Sequence, residues 1–425
     1  MARFLIEGGR QLSGSVHVSG NKNEALPAIA ACLLTDQPVI LENMPNIGDV
    51  NTLVNVLESL GVTAKWHDDT TLELHAKNIL HSTPDRELCS KVRASILLIG
   101  PLLARTGQAN VALPGGDIIG ARRIDTHWEG FESLGARLEL SDAIVAHADK
   151  LVGSDIFFDE PSVTATENIV MASTLAQGTT RIYNAASEPH VVGLCEMLVG
   201  MGAQISGVGS NLLEICGVKS LHGSRHRIGS DFMEAGSFIC LGGMSGSDLE
   251  VKNVQTHDMR FILKTFKKLG IETTAKEKSI FVHGKESRLI QKEVSGRIGT
   301  IYSGPWPAFP TDLMSVAIVA ATQSQGTMIF FEKMFEARMF FTDKLLQMGA
   351  HIVLCDPHRI VLNGPSKLFA ARMSSPDVRA GMALVMAAIC AEGTSVIDNI
   401  YQIERGYMNI EKKLQSLGAN ITKEE

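Results

Sequence analysis

Two kinds of apolar pattern alternate along this chain. One is apolar nearly all round, in residues 25–34, 94–104, 168–176, 232–243, 313–321 and 380–391. Such segments predict helices buried on every side. The other is amphipathic with period 3.6, ends in Leu/Met-Gly-Ala/Val/Ile, and then switches to the period of two expected of strands. That ending recurs six times, with its glycine at Gly61, Gly135, Gly202, Gly270, Gly349 and Gly418, at intervals of 74, 67, 68, 79 and 69 residues. Glycine suits the position just past a helix end, where the backbone turns left-handed. Phrases such as Gln325-Gly-Thr-Met-Ile and Glu392-Gly-Thr-Ser-Val-Ile place a further short strand after the apolar helix. Each repeat therefore reads as buried helix, strand, amphipathic helix, glycine turn and strand pair.

Counted from Lys22, the last repeat begins near Val378 and runs only 48 residues, about 21 short of the usual length. The 21 residues before Lys22 read as a strand pair able to complete it, which would close the chain on itself. Six repeats divide as three plus three. The expected domains are 22–229, carrying a glycine-rich loop over 112–127, and 1–21 with 230–425. The crossings fall near Gly20-Asn21 and Gly229-Ser230. An open stacked row of repeats is the alternative, but it needs polar caps at both ends. The terminal repeats here are no more polar than the middle ones, which favours closed three-repeat domains in the α/β class.

Composition adds limits. A chain of 425 residues exceeds one ordinary core. Apolar residues make up 45%, and the charge balance is 39 basic against 46 acidic, a net of −7. No basic tract marks a nucleic-acid partner. The seven cysteines are scattered, and several lie in apolar runs, as reduced buried thiols do. No leader or membrane-spanning run is read. The expectation is a cytoplasmic protein without membrane insertion.

Candidate chemistry collects where the apolar helices begin: Lys22-Asn23-Glu24, Lys91 and Arg93, Asp231 and Glu234, Thr311-Asp312, Asp377 and Arg379. Helix N-termini offer unpaired N–H groups and a positive dipole end, so they suit anions. Three such helices in one domain could gather their ends on one side, and two such domains would line a cleft between them. Capping is the alternative for each residue alone, above all for Asp377 and Thr311. Glu336-Ala-Arg338 and Glu404-Arg405 read as surface ion pairs or as further cations. Between Leu113 and His127, three glycines and a proline make a loop with Asp117 near its tip and Arg122 and Arg123 behind it. That loop is either a solvated turn or a lid carrying an acid over an anionic substrate.

The phrases Ser19-Gly-Asn-Lys22-Asn23, Leu113-Pro-Gly-Gly-Asp117-Ile-Ile-Gly-Ala-Arg122, Ala308-Phe-Pro-Thr-Asp312, Phe335-Glu336-Ala-Arg338, Asp377-Val-Arg379-Ala and Ile403-Glu-Arg405-Gly-Tyr, in this order, resemble the UDP-N-acetylglucosamine 1-carboxyvinyltransferase family of enolpyruvyl transferases over essentially the full length. The resemblance implies two inside-out α/β barrel domains of three repeats each. It implies transfer of enolpyruvyl from phosphoenolpyruvate to the sugar 3′-hydroxyl of UDP-N-acetylglucosamine by addition and elimination. No metal and no cofactor are implied, and no obligate protein partner is evident. By resemblance, Lys22, Arg122 and Arg405 hold the phosphate, Arg338 and Arg379 the carboxylate, and Asp312 the sugar hydroxyl. Asp117 is the lid acid. Asn23, Arg93, Asp125, His127, Ser162, Val163 and Phe335 fall on nucleotide-sugar positions, with Arg122 shared.

Departures from the family pattern are specific. Most members carry cysteine at Asp117, the thiol that fosfomycin alkylates, so insensitivity to that drug is expected. Glu160 stands where many relatives have lysine, Thr164 where many have glycine, Phe232 where many have arginine, and Arg123 where many have proline. Arg123 could replace the lost cation. Other acceptors of the same fold class, shikimate 3-phosphate or a nucleotide, remain alternatives, as does a non-catalytic nucleotide-sugar sensor.

Overall fold

The computed structural model describes residues 2–116, 120, 122–285 and 287–425. The described residues form two compact units: Gly20–Gly116 with Arg122–Gly229, and residues 2–19 with Ser230–Glu425. Each contains three sheets. Among the described residues all six are separate, five of four strands and one of three, and none closes into a barrel. The barrel expected from the resemblance is thus three sheets set around helices rather than one continuous sheet.

The apolar segments are helices. In the Ser230–Glu425 unit they are Phe232–Ser245, Met314–Ala321 and Val378–Cys390, which pack on one another. Residues 232–244, 314–321 and 378–389 are buried without interruption. Their all-round apolarity leaves only their ends for charged side chains. In the other unit the equivalents are Lys22–Ala31, Ile99–Thr106 and Val163–Ser173, the second entered through a 3₁₀ turn at Arg93–Leu98.

Every repeat glycine at a helix end has a positive φ, between 78° and 101°. The turn that follows sends the chain into an antiparallel strand pair, for example Ile352–Asp356 with Arg359–Gly364. In three repeats a short strand before the core helix pairs in parallel with the strand after it: Asp155–Phe157 with Thr179–Tyr183, Gly299–Tyr302 with Gly326–Phe331, and Arg372–Ser374 with Thr394–Asp398. In the three-stranded sheet no such strand forms; there Asn110 N donates to Ser82 O at 2.9 Å.

The N-terminal strands correct one expectation. Arg3–Glu7 completes the last repeat, lying antiparallel between Thr394–Asp398 and Asn420–Glu424. Gly14–His17 is not its hairpin partner. It pairs in parallel with Leu249–Lys252 and so supplies the first strand of the fourth repeat. Arg225–Arg227 does the same for Val39–Glu42. Both first core helices use a buried glutamate to fix these ends. Glu24 accepts from Gly229 N at 3.1 Å and lies 2.9 Å from His226 Nε2. Glu234 accepts from Ser19 N at 2.7 Å and pairs with Lys413.

A third buried glutamate is less well served. Glu167, in the Val163–Ser173 helix, is 1% exposed, and its Oε1 has no hydrogen-bond partner among the described residues. Burial first, then the neighbouring Glu188 and Glu24, push its carboxyl well above the ordinary 4.5. The folded chain therefore keeps a proton that the unfolded chain releases above about pH 4.5. Stability from this group is full below that value and declines as pH rises. Glu167→Gln should have a melting temperature near that of the wild type at pH 4.5 and progressively above it toward pH 8. A difference that stays constant with pH would contradict this.

Candidate functional site

The Ser230–Glu425 unit gathers a buried charge cluster at the starts of its core helices. Asp312 lies in the 3₁₀ turn Thr311–Leu313 that leads into Met314–Ala321. Arg338 Nη2 donates to its Oδ1 at 2.6 Å, and Arg379 Nε to its Oδ2 at 3.1 Å. Both arginine side chains are 6% exposed. Arg338 Nε and Arg379 Nη1 are buried donors without an acceptor among the described residues. Two guanidinium groups are thus fixed by one carboxylate, with N–H groups left over. This arrangement suits a second anion, because planar forks bind carboxylate or phosphate in pairs of bonds.

Glu332 builds this geometry. Its Oε1 accepts from Ser303 Oγ at 2.8 Å, Met334 N at 2.8 Å and Phe335 N at 3.2 Å, and its Oε2 accepts from Thr311 Oγ1 at 2.8 Å. One fully buried carboxylate therefore joins the segment carrying Asp312 to the turn carrying Arg338. Thr311 is spent on this bond and does not cap its helix. Asp377 does cap, its Oδ1 accepting from Arg379 N at 2.8 Å and Ala380 N at 3.0 Å. The Arg338 guanidinium lies 5.6 Å from the Phe335 ring centre, and that of Arg379 lies 5.4 Å from Tyr407. Burial works against the charge on Arg379, but Tyr407, Asp312 and Asp231 outweigh it and hold the group above the usual guanidinium value. Arg405 is buried nearby in sequence and donates to Gln402 Oε1 at 3.3 Å.

Among the described residues, Arg338 and Glu404 take partners other than their sequence neighbours. Arg338 pairs with Asp312, and Glu404 pairs with Lys423 at 2.7 Å. Phe232 is core, 2% exposed and tilted against Trp306.

The Gly20–Gly229 unit holds the other predicted residues in three groups. Lys22 Nζ lies 2.6 Å from Asp49 Oδ2, both largely buried. Asn23 N donates to Asn21 Oδ1, which caps the first core helix. Arg93 Nη2 donates to Arg122 O at 3.1 Å, and burial, then Arg122, lower its pKa to about 10. Gly115 and Gly116 allow this approach: a Cβ on Gly115 would sit 1.7 Å from Ser90 O, and Gly116 has φ +113° beside Arg93 and Arg122. His127 lies in the same neighbourhood, bonded to Thr164 and Asn168. Ser162 caps the Val163–Ser173 helix. Asp125 is exposed and pairs with Arg123, which also pairs with Asp159. Arg123 is therefore compensated by carboxylates rather than offered as a spare cation. Lys91 is tied to Glu87 on the exposed surface. Asp117 lies outside the described residues.

Among the described residues, no group of three or more His, Cys, Asp or Glu side chains could hold a metal ion. No helix there is long and apolar enough to cross a membrane. All seven cysteines are free thiols.

Residues 6–414 match the EPSP synthase (3-phosphoshikimate 1-carboxyvinyltransferase) family. The chain is 52% identical over 424 residues to a UDP-N-acetylglucosamine 1-carboxyvinyltransferase from Borreliella burgdorferi, covering 100% of this chain and 99% of that one. It is 50% identical over 425 residues to one from Treponema denticola, with both chains covered in full. The chain belongs to the UDP-N-acetylglucosamine 1-carboxyvinyltransferase family. Its fold is also that of the enolpyruvyl transferase NikO from Streptomyces tendae, with TM-score 0.89, 20% identity and 99% and 98% of the two chains covered.

In this carboxyvinyltransferase chain, several contributors escape a reading of the sequence. Asp49, Glu332 and Asn168 act through partners distant in sequence. Asp49 follows Gly48 at the start of an amphipathic helix, where an acid is unremarkable. Breaking the Asp312 cluster leaves buried guanidinium charge less compensated. Asp312→Ala should therefore lose about 3 kcal/mol of unfolding free energy in urea. A loss under about 1 kcal/mol would show that other groups balance both arginines.

Proposed function

We propose that this chain transfers enolpyruvyl from phosphoenolpyruvate to the 3′-hydroxyl of UDP-N-acetylglucosamine, releasing phosphate, as the first committed step of peptidoglycan precursor synthesis in the cytoplasm. The observation that carries this reading is the Asp312–Arg338–Arg379 cluster: one carboxylate fixing two buried guanidinium groups whose remaining donors are left for an anion. Family membership supplies the substrate class.

In this reading Arg338 and Arg379 bind the donor carboxylate, and Lys22, Arg122 and Arg405 its phosphate. Asp312 takes the proton from the sugar hydroxyl as its oxygen bonds to C2 of phosphoenolpyruvate. Asp117 delivers a proton to the C3 methylene, giving a tetrahedral ketal. The Asp117 carboxylate then takes a proton back from C3 as phosphate departs, restoring the vinyl group on the sugar oxygen. The guanidinium groups stabilise negative charge on the donor throughout without reorganising, since their own partners already fix them. Asn23, Arg93, Asp125, His127, Ser162, Val163 and Phe335 serve the nucleotide-sugar. Asp117 works beside cations, which favour its ionised form; a phosphate dianion opposes that shift, so its acid role belongs to the loaded complex.

The test is phosphate release from phosphoenolpyruvate with UDP-N-acetylglucosamine, UMP and shikimate 3-phosphate offered separately. Release with the first alone is expected; release only with another acceptor, or none with any, overturns the reading. Asp117→Asn should alter the pH–rate profile, and an unchanged profile removes Asp117 from the mechanism. Fosfomycin should not inactivate the wild type over time, whereas Asp117→Cys should become sensitive.

A further inference from the structure

A chain of three side chains in the Gly20–Gly229 unit settles where one proton must sit. Asn168 is fully buried, and its amide cannot be turned over. Its Oδ1 accepts from Gly100 N at 2.8 Å, and its Nδ2 donates to Ile96 O at 2.8 Å. Reversing it would set donor against donor and acceptor against acceptor. The second hydrogen of Nδ2 points at His127 Nδ1, 3.1 Å away. That nitrogen must present a lone pair, so the imidazole proton is on Nε2. Nε2 lies 2.9 Å from Thr164 Oγ1 and donates to it. The threonine oxygen is thereby occupied as an acceptor from the protein interior. Its own hydrogen has no acceptor among the described residues, and Thr164 is partly exposed. His127 is 3% exposed, and burial, then Arg93, lower its pKa to about 3, so the relay keeps one form across the physiological range.

We propose that Thr164 is a specificity-determining residue whose hydroxyl donates to an anionic oxygen of the nucleotide-sugar, and that Asn168 and His127 are positioning residues that enforce this direction. His127, which resemblance alone would set against the nucleotide, acts through Thr164. The inference rests on the proposed acceptor being a nucleotide-sugar. It goes beyond that reading by naming a donor that glycine at this position could not supply.

Two measurements test it on the full chain. With labelled histidine, the nitrogen resonances of His127 should report the Nε2-protonated neutral ring from pH 5 to pH 8. An Nδ1-protonated ring, or titration within that range, overturns the relay. Calorimetric titration with UDP-N-acetylglucosamine should give a Kd about ten-fold or more weaker for Thr164→Val. Thr164→Ser, which keeps the hydroxyl, should stay within about two-fold of wild type, a rescue that a purely packing role for the side chain would not give. Under turnover, the Thr164→Val change should appear in the KM for the nucleotide-sugar and not in that for phosphoenolpyruvate. Equal Kd for wild type and Thr164→Val overturns the role of Thr164 whatever the turnover. A Thr164-dependent Kd in a chain that releases no phosphate overturns the proposed reaction and upholds this inference.

Discussion

One carboxylate between two buried guanidinium groups sets the terms for the rest of the site. Asp312 bonds Arg338 and Arg379 at 2.6 and 3.1 Å, and its removal would leave two buried guanidinium groups with less compensating charge. The cluster exists because the core helices of its unit are apolar on every side. A helix such as Met314–Ala321, buried along its whole length, has room for charge only at its ends. The polar groups of the unit are thus driven to the helix starts, where Asp312 leads into one helix and Arg379 opens another. Glu332 then converts proximity into geometry, since its bonds to Ser303, Thr311 and two backbone amides leave the Arg338 turn little freedom.

The same repeat gives a different result in the other unit. There Lys22 at a helix start pairs with Asp49 of another helix, and Arg93 donates to the backbone oxygen of Arg122 beside Gly116. Repetition therefore supplies a scaffold of positions and not a set of chemistries. What each position does depends on the partner that another repeat brings to it. The buried glutamates illustrate this: Glu24 and Glu234 occupy matching places and both fix a chain end, yet one meets a histidine and the other a lysine.

Much of the scaffold was legible because its signals are local. Six glycines ending amphipathic helices all take positive φ, and the six apolar segments all fall within core helices or the short turns flanking them. Pairing across the chain was not legible. Arg338 stands two residues from Glu336 but bonds Asp312, 26 positions away. Gly14–His17 follows Arg3–Glu7 closely, as a hairpin would, but pairs with a strand more than 200 positions on. Period and turn chemistry constrain neighbours, whereas these choices are made by burial, which only the folded chain defines. The site residues named from resemblance share that limit, since a motif fixes identity and not orientation. The Asn168–His127–Thr164 relay needed coordinates to be seen at all.

The account stands or falls on whether the clamped arginines grip the donor's carboxylate. Steady-state KM for phosphoenolpyruvate in Arg379→Lys, at saturating UDP-N-acetylglucosamine, tests this most directly. Lysine keeps the charge but loses the fork, so the KM should rise roughly 100-fold while the KM for the nucleotide-sugar changes little. A KM for phosphoenolpyruvate equal to that of the wild type would contradict the claim.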